Sequence, residues 1–116
     1  PFSEPEVGNV RWLFTRNQVT AASSQHSYAG LILHPPGVRG SGPLPDRGLF
    51  ERLGAKLARQ AGYDSIPGHH LYDSSGVMDD WTYGATGAIT FTSETVLVPP
   101  DITGTNRATF PSVGGC

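Results

Sequence analysis

The spacing of apolar residues divides this chain into short elements. Val7, Val10, Leu13 and Phe14 recur at helical intervals, which predicts a helix from about Glu4 to Asn17. Ser3 followed by Glu6 has the form of a capping box. Pro5 falls in the first turn, where its missing N–H leaves no bond unmade. "VTAASS" then reads as a short buried strand that delivers Gln25 and His26 at its C-terminal end. "GLILHP" is a second short apolar run, closed by Pro35-Pro36. "GVRGSGPLPDRG" has no apolar period and reads as a loop. The strongest period lies in "PDRGLFERLGAKLARQAGY". There Leu49, Leu53, Leu57 and Ala61 share one face, with Arg52, Lys56 and Arg59 largely off it. A helix from about Asp46 to Gly62 follows, with Gly62 as its C-cap.

"HHLY" reads as a short extended piece, and "DSSGVMDDWTYGATG" as a polar loop holding one helical turn at 79–83. "AITFTSET" alternates β-branched and aromatic residues with small or polar ones and predicts a strand. From "VLVPP" to Cys116 no regular element is expected. No internal repeat is visible. Helices alternating with strands imply an α/β sheet with crossovers.

Composition narrows the classes. The 116 residues amount to one domain's length. A net charge of −2 without clustered Lys and Arg argues against a nucleic-acid or anionic-membrane binder. No apolar run approaches the roughly 20 residues of a membrane helix, and no signal peptide is visible. Fifteen glycines and ten prolines against 37% hydrophobic residues suggest long ordered loops, or a piece of something larger. The single cysteine, Cys116, has no internal partner and says nothing of compartment.

The chemistry candidates are few. Among four histidines, one placed after a buried strand is more often a satisfied core or loop residue than a ligand or base. His69 and His70, if extended, point to opposite faces and cannot converge on one ion. No H-x-x-E, H-E-x-x-H or C-x-x-C spacing occurs. Glu94 stands near the C-terminal end of a predicted strand. There a carboxylate is either an edge group in water or a costly buried one kept for use, and strand ends are where α/β folds place their sites. Asp79-Asp80-Trp81 fits equally a solvated turn with a helix cap.

The order of these pieces carries more than any one of them. "QHSYAGLILHPPG", a helix, "LYDSSGVMDDWTYG" and "GAITFTSET" together resemble the second half of a zinc carboxypeptidase of the M14 type, the carboxypeptidase A/B family. That family carries His-Ser-Tyr before an apolar run and a proline, a Tyr-x-x-Ser-Gly loop leading to Asp-Trp-x-Tyr, and a strand with a glutamate. "PFSEPE" resembles the segment that opens the helix before the histidine strand. The resemblance runs from Pro1 to about Glu94.

The resemblance implies a mixed-sheet α/β/α domain, incomplete in this chain, with residues 1–116 as the C-terminal portion of a single catalytic domain. It implies one Zn2+, with His26 as the third protein ligand, a role a neutral imidazole suits. Ser27 and Tyr28 would shape the floor of the site, with a cis peptide bond between them. Glu94 corresponds to the catalytic glutamate, which takes a proton from the attacking water and returns it to the leaving amine. Tyr72 corresponds to the mobile tyrosine that meets the substrate's terminal carboxylate. Asp79 falls where the family sets preference for the last residue; an aspartate there goes with lysine or arginine. Alternatively Asp79 caps the turn and Asp80 faces inward.

The departures are equally definite. The family's H-x-x-E ligands and carboxylate-clamping arginines do not occur in this sequence, and neither does its last helix. Val77 and Met78 stand where members often have glycine and would reshape the specificity pocket. Two classes of function follow. One is a secreted metallocarboxypeptidase acting on peptide C-termini, with the rest of its site supplied by the missing N-terminal part of the domain or another chain, and inactive in its absence. The other is a non-enzymatic peptide- or partner-binding module on the same fold. On the first reading the strands carrying His26 and Glu94 are neighbours, with the two side chains within about 10 Å, since proton transfer needs contact or one bridging water.

Overall fold

The computed structural model describes residues 2–96. Along the chain these form α1 (Pro5–Arg16), β1 (Ala21–Ser27), β2 (Leu31–His34), α2 (Arg47–Ala61), β3 (Asp64–Pro67), a 3-10 turn at Gly68–His70, α3 (Met78–Thr86) and β4 (Ile89–Thr95). The sheet has the order β1-β4-β2-β3. β1 runs parallel to β4, β2 antiparallel to β4, and β3 parallel to β2. It is the mixed sheet the sequence implies, and β2–α2–β3 is its helical crossover.

α2 covers one face of this sheet. Phe50, Ala58, Ile32 and Phe91 form the core, with Leu44, Tyr63, Tyr83 and Ile89 packed around them. Phe50 stands edge-on to both Phe91 and Tyr83, with ring centroids 5.7 and 5.1 Å away. Gly54 lets the helix come close. A Cβ there would collide with Ser65 Oγ and stand 3.3 Å from Phe91. Gly62 ends the helix as expected, at φ 74°.

Several elements depart from the sequence reading. The buried face of α2 is Phe50, Gly54 and Ala58, not the leucine row; Leu53 and Leu57 are 37% and 41% exposed. Phe50 is the bulkiest apolar group on the helix and Gly54 the point of closest approach, so together they turn the helix away from its leucines. α1 keeps its expected bounds to within a residue, but of its apolar set only Phe14 is fully buried. Its N-cap is Glu4, without a side-chain cap bond, and Ser3 bonds Glu4 instead of closing a capping box. β1 is largely exposed, because it is an edge strand of alanine, serine and polar residues. β3 was not foreseen at all. "HHLY" is a 3-10 turn rather than extended, with the His69 and His70 rings 4.5 Å apart. The single turn expected at 79–83 is a nine-residue helix. The segment 97–116, Cys116 included, lies outside the described residues.

Candidate active site

The parallel pairing of β1 with β4 sets the site. Both strands end at the same edge of the sheet, and the register places His26 opposite Glu94. Paired residues on neighbouring strands point to the same face, so the two side chains meet. His26 Nδ1 lies 3.7 Å from Glu94 Oε1. That is longer than a hydrogen bond and well inside the separation a shared site requires. The imidazole side chain is 56% exposed and the carboxylate 10%. On the far side of the ring, Nε2 stands 3.1 Å from Ser24 Oγ. β4 is held from the other side too, by Gly30 N–H donating to Glu94 O at 2.7 Å.

Beside this pair lies a cavity of about 130 Å³. His26, Tyr72, Asp79 and Glu94 all line it, so four residues singled out from the sequence converge there. Its apolar wall includes Leu33, Val77 and Met78. Tyr72 is 65% exposed where it borders the cavity. Ser27 and Tyr28 do not line the cavity; their peptide bond is cis, as the resemblance implied.

The two adjacent aspartates part company at the start of α3. Asp79 is 95% buried, at 5% exposure. Its Oδ2 accepts from Thr92 Oγ1 at 3.0 Å, while its Oδ1 is buried with no partner. Burial pushes this carboxyl up to about 6, with Asp80 adding to the rise and the Thr92 bond and His26 opposing it. Asp80 instead turns both oxygens to Gly37 N–H, at 3.1 and 3.0 Å. The inward group is therefore Asp79, and neither aspartate caps the helix, whose N-cap is Val77.

Thr92 was not singled out from the sequence. The signal was present, since it lies two residues before Glu94 and so on the same strand face. Nothing local links a threonine on β4 to an aspartate on α3. The His34 ring is also buried, stacked on Phe50 on the α2 side of the sheet, and burial holds its pKa below the ordinary value.

The residues fit a metal in part. His26 is one imidazole donor at the cavity, with a carboxylate beside it. Among the described residues no group of three His, Cys, Asp or Glu side chains could hold an ion by itself. Any such ion would take further ligands from outside this segment.

Comparison with known proteins decides the family. The zinc carboxypeptidase family model matches residues 1–100. The chain belongs to the zinc carboxypeptidase family. Among solved structures it is similar to thrombin activatable fibrinolysis inhibitor, at 28% identity and a TM-score of 0.65, over 81% of this chain and 26% of that one. It is equally similar to the bovine protein of that name solved in complex with tick carboxypeptidase inhibitor, at 28% identity and a TM-score of 0.67, over 81% of this chain and 35% of that one. The chain thus spans between a quarter and about a third of the length of these two structures. No curated protein matches it. The fold of this zinc carboxypeptidase segment is the mixed α/β arrangement of its structural neighbours. No helix among its described residues is long and apolar enough to cross a membrane.

Proposed function

We propose that this chain forms the substrate-facing half of a metallocarboxypeptidase active site, which removes the last residue of a peptide. The observation that supports it most is the His26–Glu94 pair, 3.7 Å apart at the edge of a cavity whose wall holds Asp79. A structural ion pair would not need an exposed imidazole, a nearly buried carboxylate and an adjoining hole together.

His26, with two ligands from outside these residues, would hold Zn2+, which when bound would supply Lewis acidity toward the scissile carbonyl and toward water. Glu94 is the general base and then the general acid: it takes a proton from water at its carboxylate and hands it to the leaving amine. Its enclosure keeps that carboxylate poorly hydrated and close to the reacting atoms. Tyr72 closes over the substrate and donates its O–H to the terminal carboxylate. Ser27 and Tyr28 close the strand end beyond His26. Asp79 receives the substrate's last side chain. Its unpartnered Oδ1, near a cavity walled in part by Leu33, Val77 and Met78, suits a lysine ammonium or an arginine guanidinium. The rest of the domain, or another chain, completes the site, and a secreted setting fits peptide substrates.

The test is a digest. The full-length protein should release one residue at a time from a peptide ending in arginine. C-terminal amidation or a chelator should each abolish the release. Binding of such peptides without cleavage, with zinc present, would instead support a non-enzymatic module.

A further inference from the structure

We infer that Asp80 is a positioning residue, whose carboxylate fixes Gly37 and through it the wall of the substrate cavity beside Asp79. The inference rests on reading that cavity as the specificity pocket.

Three segments of chain meet at Gly37. Its N–H donates to both oxygens of Asp80, on α3. Its carbonyl accepts Ser74 N–H at 2.9 Å. One residue earlier, Pro36 O accepts His69 N–H at 3.1 Å and lies 3.0 Å from His69 Nδ1. The packing is as tight as the bonding. A Cβ on Gly37 would stand 2.8 Å from Ser74 O and 2.9 Å from Val77 Cγ2. Only glycine leaves room for that approach, so the need here is for space.

These contacts define the pocket. Gly37, Gly68, Ser74, Val77 and both aspartates line it. The loop bearing Tyr72 is tied to the 35–37 segment on both sides, at His69 and at Ser74. A shift of Gly37 therefore moves the wall and the rim together. Successive helical residues point about 100° apart, which lets two adjacent carboxylates do different things. Asp79 keeps one buried oxygen without a partner beside the cavity, while Asp80 holds the backbone that shapes the space around it.

The test uses the full-length protein with Asp80→Ala and Asp80→Asn. Asparagine keeps an acceptor oxygen of the same shape and drops the charge. Loss of the anchor should raise KM about tenfold or more for peptides ending in arginine and in phenylalanine alike, with a much smaller fall in kcat. Asp80→Asn should bring KM back to within about threefold of the parent. The Gly37 amide should exchange slowly in the parent and in Asp80→Asn, and fast in Asp80→Ala. Equal KM in all three proteins overturns the inference. So does an Asp80→Asn variant as impaired as Asp80→Ala, since charge and not anchoring would then matter. Fast exchange at Gly37 in the parent overturns it even if Asp80→Ala does not fold. A parent that hydrolyses neither peptide overturns the peptidase reading, and this inference with it.

Discussion

Asp79 holds a carboxyl with one bonded and one bare oxygen in a largely apolar enclosure. A cationic substrate side chain would fill the bare position, whereas an apolar one leaves it desolvated and unpaired, a loss of about 1–3 kcal/mol or more for a charged group. Asp79→Ala should therefore lower the ratio of kcat/KM for arginine-ending over phenylalanine-ending peptides by one to several decades; an unchanged ratio would put specificity elsewhere. The same burial makes stability depend on pH. The folded pKa of Asp79 lies above its ordinary 3.8, at about 6. Its contribution is thus full below pH 3.8 and is lost as pH rises through 6. His34 works the other way: its lowered pKa makes its contribution present above the ordinary 6.5 and lost as pH falls through the folded value. Asp79→Asn should accordingly gain up to about 3 kcal/mol over the parent at pH 8, shrinking toward pH 4, in paired thermal melts. A difference that does not vary with pH would contradict the burial argument. At this scale the sequence was informative where a residue's place on its strand determines its site, as for His26 and Glu94. It was silent on Thr92 and Gly37, whose roles come from contacts between distant segments.

At the scale of elements, α2 shows how apolar periodicity can mark a helix and still misassign its buried face. Leu49, Leu53 and Leu57 make the more regular row, yet Phe50, Gly54 and Ala58 face the sheet. A glycine's value at a close crossing cannot be read from hydrophobicity, because it lies in the side chain that is absent. Gly54→Ala tests this. On an exposed helix the change would stabilise by up to about 1 kcal/mol. Here the new methyl meets Ser65 and Phe91, so a loss of about 1–3 kcal/mol is expected in denaturant unfolding. A stabilised variant would mean that α2 sits farther from the sheet. β4 was legible for the opposite reason. Its alternation of large and polar residues holds from Ile89 to Thr92, as in a strand with one face on the apolar core. β3 was missed because "DSIP" is too short and too polar to show a period.

At the scale of the molecule, the described residues form a four-stranded sheet with the His26–Glu94 pair at the end of two of its strands. β1 has β4 on one side and no partner on the other among the described residues. Such an edge is a template for association. The 116-residue chain alone should sediment as a complex with itself; a monomeric, cooperatively folding sample would contradict this. Zinc should bind that isolated chain weakly, since on the proposed reading His26 would supply one ligand where a catalytic zinc takes three from protein. A tight one-to-one isotherm in calorimetry would show a ligand set other than the one argued for. The resemblance in sequence reached the family because four motifs occur in order. It also implied that the strands carrying His26 and Glu94 are neighbours, as β1 and β4 are; their parallel direction and residue-for-residue register come from the structure alone.

The central claim is that His26 and Glu94 serve one reaction in two roles, one holding metal and the other moving a proton. The direct measurement is kcat together with bound zinc in the full-length protein, for the parent, Glu94→Gln and His26→Ala. Glu94→Gln should keep its zinc and lose about 10²–10⁴-fold in kcat, while His26→Ala should lose zinc and activity together. Glu94→Gln with kcat within a few-fold of the parent, or His26→Ala with its full complement of zinc, would contradict it.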